Sequence, residues 1–278
     1  YKPKRRTRAQ IAPDAGLQPL AEALRDKKLA VPEELAAAYL NAEHQINDTK
    51  AALVGARDIL AEQFSENATL LALLRKRLNS EAAVRAAVVP EKATEAIKFQ
   101  DYFEHQEPLS SVASHRMLAM LRGREQGFLT LKVDLPEVWE AENPRAPHPF
   151  ESEIARLHGI EREDSPRGKF LNETCRWTWK IKLASTLESE VIGTLRDAAQ
   201  AEAISVFGKN LKDLLLSAPA GGKATMGLDP GIRTGVKVAV IDSTGQVVEH
   251  ATIYPHEPRR QWNESIALLA ALCQKHNV

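Results

Sequence analysis

From Pro13 to about Ala87, apolar residues recur every three or four positions among Ala, Leu, Glu, Lys and Arg, which are strong helix formers. Pro32 followed by Glu33 and Glu34 predicts a helix start, because proline fits the first turn and acids suit its positive end. Asp48 is placed to cap the next helix, on which Leu53, Ala56, Leu60 and Phe64 share a face. A further helix from about Glu66 is expected to bury Leu70, Leu71, Leu74 and Leu78. Short antiparallel helices are the expected packing. Between Val88 and Pro149 the pattern is mixed. A helix begins at Ser114-His115-Arg116, runs through Met117, Leu118 and Leu121, and ends near Arg122-Gly123-Arg124. Phe128 to Val133 then alternates as a short strand does. Asp134 to Pro149 holds four prolines without any period, which predicts a surface loop.

The helical period returns from about Lys169 to Ser217. Trp179, Leu183, Leu187 and Val191 form a stripe that Leu195, Ala199, Phe207, Leu211 and Leu214 continue. This is either one very long helix or two, with Gly193 the candidate break. Ser217-Ala218-Pro219-Ala220-Gly221-Gly222 ends it and marks the clearest domain boundary, dividing the chain into 1–218 and 219–278. Beyond it the period becomes strand-like. Ala224 to Asp229 and Gly235 to Asp242 are strands, Ser243-Thr244-Gly245 is a hairpin turn, and Val247 to Tyr254 is the return strand. Pro255 and Pro258 break the chain before a helix carrying Trp262, Ile266, Leu269 and Cys273 on one face. A right-handed crossover from that helix would lay a further strand parallel to the first. The first strand's edge is therefore expected to be open or covered by another molecule.

Composition adds less than pattern. Hydrophobic residues make up 44% and charged residues 27%, which suits a soluble protein with a real core. Lys+Arg and Asp+Glu both total 37, so net charge identifies no partner. Their distribution is more telling: Lys2, Lys4, Arg5, Arg6 and Arg8 precede the first acid, Asp14, and form a basic arm. Cys175 and Cys273 lack metal-type spacing and fit a reducing compartment. No apolar run approaches the ~18 residues of a membrane span, and the start does not resemble a secretory signal. The chain lacks an initiator Met, and both ends read as cut from a longer protein, with the cytoplasm as the expected location.

Asp229 ends the first strand between glycines, within Gly227-Leu228-Asp229-Pro230-Gly231. A carboxylate there can hold Mg²⁺ against a phosphate oxygen, but two-metal chemistry needs several carboxylates converging within a few ångströms. Asp242 belongs to the far end of a neighbouring strand and is a poor second ligand. The bland alternative is that Asp229 only shapes its turn.

The stretch Gly227-Leu228-Asp229-Pro230-Gly231-Ile232-Arg233-Thr234-Gly235-Val236-Lys237-Val238-Ala239-Val240 resembles the opening of a YqgF domain, related to the RuvC resolvases. Tyr1 to Thr7, Gly55 to Glu62, Ser114-His115-Arg116 with Arg122-Gly123-Arg124, Arg176-Trp177-Thr178-Trp179 and Asn210 to Leu216 extend the likeness to the Tex family of bacterial transcription accessory proteins. The resemblance implies a mainly α region with a helix-turn-helix element around 100–133. It further implies an incomplete α/β RNase H-like domain of three antiparallel strands and one helix. It implies a cytoplasmic factor that binds RNA or DNA, touches the transcription machinery and avoids membranes. Asp229 matches the first metal-binding acid of the nuclease relatives, whose other acids would lie past Val278. The chain is therefore expected to be non-catalytic, to need no cofactor and not to retain Mg²⁺. The alternative is part of a metal-dependent RuvC-like nuclease.

The basic arm, together with Arg116, Arg122 and Arg124, is the candidate phosphate-contacting set, each contact salt-dependent and blind to sequence. A structural role linking helix to strand is the bland reading of the last three. Arg75, Lys76 and Arg77 read as a solvated helix face, and Trp177 and Trp179 as packing rather than base stacking. Cys273 reads as inert packing on the buried stripe. A third role is direct binding of transcription proteins through the helical surfaces.

Overall fold

The structure, a computed structural model, describes residues 12–26, 31–143, 146–161, 163–219, 221–231 and 234–278. The chain divides into two compact units, residues 1–207 and 208–278. The division falls inside the long helix, which itself ends at Leu215, next to the predicted breaker Ser217–Gly222.

Helices α1 (Gln18–Asp26), α2 (Pro32–Ala36), α3 (Thr49–Ser65) and α4 (Ala68–Glu81) open the first unit. Their starts follow from local chemistry. The Asp48 carboxylate accepts the Ala51 N–H at 2.7 Å, Asn67 accepts the Leu70 N–H at 3.1 Å, and Pro32 occupies the first turn of α2. Each cap satisfies a donor that the helix leaves without an internal partner. Ala56, Leu60 and Phe64 of α3 and Leu70, Leu74 and Leu78 of α4 are buried as predicted, with Leu53 and Leu71 packed at the margin. Each fully buried large side chain contributes roughly 1.5–3 kcal/mol relative to exposure.

The helical pattern read through Ala87 is overturned at its end. Ala83–Val88 is strand β1, pairing antiparallel with β2 (Glu104–Pro108) on one side and β3 (Leu129–Asp134) on the other. Alanine-rich composition favours a helix, but Val84 and Ala86 point inward and Arg85 outward, and cross-strand partners such as Val84 with Val133 decide the outcome. The stretch 100–133 is therefore not a helix-turn-helix. It runs strand, helix α5 (Ser114–Glu125), strand, and the short 3₁₀ helix Ile97–Tyr102 is separated from α5 by β2. The loop expected from Asp134 to Pro149 contains helix α6 (Pro136–Glu140), and Pro149 opens α7 (Pro149–Leu157). Pro136 and Pro149 start helices here rather than break them. His148 ties the segment together: its Nδ1 accepts the Phe150 N–H at 3.1 Å while its Nε2 meets Asp134 at 2.9 Å.

Helix α8 (Pro166–Trp177) continues through a π-helical segment, Thr178–Leu183, into α9 (Ala184–Leu215). The irregularity thus lies at 178–183 and not at Gly193, which sits inside α9 with open space around it. Trp179, Leu183, Leu187, Val191 and Ala199 are buried as the stripe predicts. Phe207, Leu211 and Leu214 are not: they are exposed, Phe207 at 67%.

The second unit holds β4 (Thr225–Asp229), β5 (Val236–Ile241) and β6 (Val247–Ile253) in the antiparallel order β4-β5-β6, followed by α10 (Trp262–His276). Among the described residues β4 pairs with β5 alone, so its outer edge is open. Val236, Val238 and Val240 alternate inward to meet Ile253 and Leu272. The face of α10 predicted to be buried is corrected. Ser265, Leu269 and Leu272 face the sheet, Cys273 is half-buried, and Trp262 and Ile266 are 58% and 52% exposed. Two apolar stripes share Leu269, and docking selects the one whose serine is satisfied by the Gln261 carbonyl at 2.5 Å.

Candidate nucleic-acid interface

Of the predicted basic set, Lys2, Lys4, Arg5, Arg6 and Arg8 lie outside the described residues. The other three separate into two kinds. Arg116 forks onto Glu107 at 2.8 and 3.1 Å, and His105 meets the same carboxylate at 3.0 Å. Burial pushes the Glu107 carboxyl up, but the hydrogen bonds from Arg116 and His105 outweigh it and hold the group below the usual carboxylate range. Arg116 is thus committed to joining α5 to β2, a structural role.

Arg122 and Arg124 are exposed on the last turn of α5, and neither forms an ion pair among the described residues. Gly123 between them explains their placement. A Cβ there would lie 2.5 Å from the Leu129 side chain, so only glycine lets α5 close onto β3 while both neighbours stay outside. The Phe128 N–H then donates to the Gly123 carbonyl at 2.9 Å.

This turn gathers cations that periodicity did not mark. Lys98 donates to Gln126 at 2.6 Å, and its Nζ lies 5.6 Å from the Phe128 ring centroid. Lys92 lies 5.9 Å from the same ring. Lys92 and Lys98 therefore stand beside Phe128, close in the chain to the helix end that carries Arg122 and Arg124; none of the four is in an ion pair among the described residues, and Glu91, Glu95 and Glu125 are exposed on the same segments. Two cations beside a half-buried aromatic, with two more on the adjoining helix end, can meet phosphates. The signal in the sequence was spatial: Lys92 and Lys98 precede α5, and the Val89 N–H bond to the Phe128 carbonyl at 2.9 Å brings their segment to its end.

In the second unit Asp229 is exposed at the end of β4, opposite Lys237. It borders a cavity of about 540 Å³ on the sheet face, lined also by Gly227, Ala239, His250 and Thr252. Asp242 follows the opposite end of β5, five residues beyond Lys237, or roughly 16 Å at strand spacing. Its carboxylate is spent on the hairpin, accepting from the Thr244 N–H at 2.8 Å, the Thr244 hydroxyl at 2.6 Å and the Gln246 N–H at 3.1 Å. The Thr244 hydroxyl and amide bonds lower its pKa. Among the described residues no group of three or more His, Cys, Asp or Glu is arranged to hold a metal ion. One carboxylate does not fit a two-metal centre.

The remaining candidates resolve as structure. Arg75 pairs with Glu190 at 2.8 Å and Arg77 with Glu81 at 2.9 Å. Trp179 is buried against Phe150, and Trp177 lies under the Arg57 guanidinium at 3.7 Å. Burial, with the nearby Glu151 carboxylate, pushes the Cys175 thiol up to about 12, which leaves it unreactive at neutral pH. No helix among the described residues is long and apolar enough to cross a membrane.

Comparison with known proteins agrees with this division. Residues 27–207 match the Tex central region-like family and residues 223–278 the Tex protein YqgF-like domain. The chain is 54% identical to Protein tex of Bordetella pertussis and 45% identical to transcriptional accessory protein Tex of Neisseria gonorrhoeae, covering all of this chain and 35% of each relative. It is 28% identical to human S1 RNA-binding domain-containing protein 1, over 90% of this chain and 25% of that protein. The chain thus spans about a third of the length of its bacterial relatives, and with both of its regions matched it belongs to the Tex family.

Proposed function

We propose that this chain is a non-catalytic, nucleic-acid-binding part of a cytoplasmic transcription accessory factor, its second unit opening an RNase H-like domain. The observation that carries the reading is Lys92 and Lys98 beside Phe128, next in the chain to the helix end bearing Arg122 and Arg124, four cations free of ion pairs among the described residues. The relatives named for transcription and for RNA binding support it. Fluorescence anisotropy with labelled single-stranded RNA and DNA tests it. Replacing Arg122 and Arg124 by glutamine is expected to weaken binding to both and to flatten the log–log salt dependence by about 0.7 per lost contact. A double variant with unchanged affinity and slope removes the cluster from the interface.

The second reading, part of a metal-dependent nuclease, draws on one observation: Asp229 is exposed at a strand end beside a cavity. Mg²⁺-dependent strand cleavage by the full-length protein, abolished by Asp229→Asn, would establish it and displace the first reading.

A further inference from the structure

The loops at the end of the sheet where β4 finishes meet around a second cavity, of about 290 Å³, lined by Gly231, Thr234, Gly235, Tyr254, His256 and Arg259. Asp229 does not line it. The cavity is shaped by close backbone approach. Gly235 has φ +82°, and a Cβ there would stand 2.6 Å from the Tyr254 ring and 2.8 Å from the Ile253 carbonyl. A Cβ on Gly231 would stand 2.5 Å from the Thr234 hydroxyl. A side chain at Gly235 would press on the facing strand and loop, and one at Gly231 would press on Thr234 and Gly235 of its own loop. The facing loop is held by the Gln261 N–H on the Tyr254 carbonyl and the Arg260 N–H on the His256 carbonyl, both at 2.9 Å.

The charges around this cavity are unevenly matched. Arg260 takes Glu257, the acid in the lining. Arg259 has no carboxylate partner among the described residues, and its guanidinium lies 4.0 Å from the Tyr254 ring centroid. The ring restrains the cation at the rim without consuming its hydrogen-bond donors. The Thr234 hydroxyl and the His256 imidazole likewise have no side-chain partner among the described residues. A confined space bordered by a restrained guanidinium and spare donors calls for an anionic, acceptor-rich ligand, and a guanidinium fork matches phosphate geometry.

We infer that this cavity binds a nucleotide phosphate carried by a nucleic-acid strand, with Arg259 as the charged contact and the Thr234 hydroxyl as a second donor. The inference rests on the nucleic-acid-binding reading but on a different unit and different residues from the cluster around Phe128. In anisotropy titrations of the chain with single-stranded RNA and DNA of about 12 nucleotides, Arg259→Gln weakens binding roughly tenfold. It also lowers the salt slope by about 0.7. Thr234→Val weakens binding less and leaves the slope unchanged, and Arg259→Lys keeps the slope. Amide NMR with the strand, and separately with uridine monophosphate, identifies the source, since strand binding shifts the Gly231 and Gly235 resonances. If the strand binds with Arg259→Gln unchanged in affinity and slope, this inference is overturned while the reading of the Phe128 cluster stands. If uridine monophosphate shifts those amides and the strand does not, the strand is overturned as the source of the phosphate. If the unsubstituted chain binds neither strand at any salt concentration, both readings fall.

Discussion

The two units reach stability by different means. The first buries helices α3, α4, α7 and α8 around large side chains such as Phe64 and Phe150, with a three-stranded sheet and part of α9 joining the same core. The second packs one helix on one face of three strands, and its buried apolar core is Val236, Val238, Val240, Ile253 and Leu272. A folded domain typically holds only 5–15 kcal/mol of net stability. One buried residue is therefore a modest fraction of the first core and a large fraction of the second. The candidate contacts follow the same contrast: those of the first unit sit on the end of α5 and on the segment that precedes β2, whereas those of the second lie on loops at the end of a thin sheet.

Truncations probe the comparison most strongly. Phe64→Ala is expected to cost about 3–5 kcal/mol, seen as a lower urea midpoint for the first unit with the second unaffected. Leu272→Ala is expected to cost about 2–5 kcal/mol and to unfold the second unit outright, with rapid hydrogen exchange across β4–β6 and retained protection in α3. If the two substitutions shift one common transition, the units are not independent and the comparison fails. Smaller by design is Asp48→Ala, which removes the α3 cap and lowers first-unit stability by about 1 kcal/mol. An unchanged midpoint would show that the Ala51 N–H finds another acceptor.

The smallest effect is a pH dependence. Burial, with the nearby Arg25 charge, lowers the pKa of His158, whose ring stacks on Phe64 at 4.1 Å. The unfolded imidazole takes up a proton near its ordinary 6.5 and the folded one only at lower pH. Stability is therefore full above 6.5 and declines as pH falls below it. Glu107 acts lower down: its folded pKa lies under the ordinary 4.5, so its contribution is present above 4.5 and is lost as pH falls through the folded value. First-unit urea midpoints should fall between about pH 7 and pH 5.5, and His158→Gln should remove that part of the decline. A flat profile in the native protein would count against the burial of the imidazole.

Helix starts were legible because they are local: Pro32 and Asp48 need only their own neighbours. The strand pattern of Val236 to Ile241 was equally plain, since alternation survives any context. What escaped depended on partners distant in sequence. β1 looks helical until β2 and β3 supply its neighbours, and the inward face of α10 is ambiguous until Leu272 meets the valines of β5. At the candidate interface Arg122 and Arg124 were visible as a motif. Lys92 and Lys98 joined them only through the contacts of Phe128 and Gln126, and Arg116 was lost to Glu107.

The π-helical segment at Thr178–Leu183 has a consequence for how this chain tolerates changes of length. A π segment within an α-helix accommodates one additional residue, so the turns before and after it keep their orientation toward the core. Deleting a single residue there is expected to restore regular α-helix with Leu171 and Leu187 both still inward. The same deletion within α9 would swing everything beyond it by about 100°. Insertions and deletions in this long rod are therefore unequal, and this segment is the place where its length can change by one residue without turning the following face away from the core.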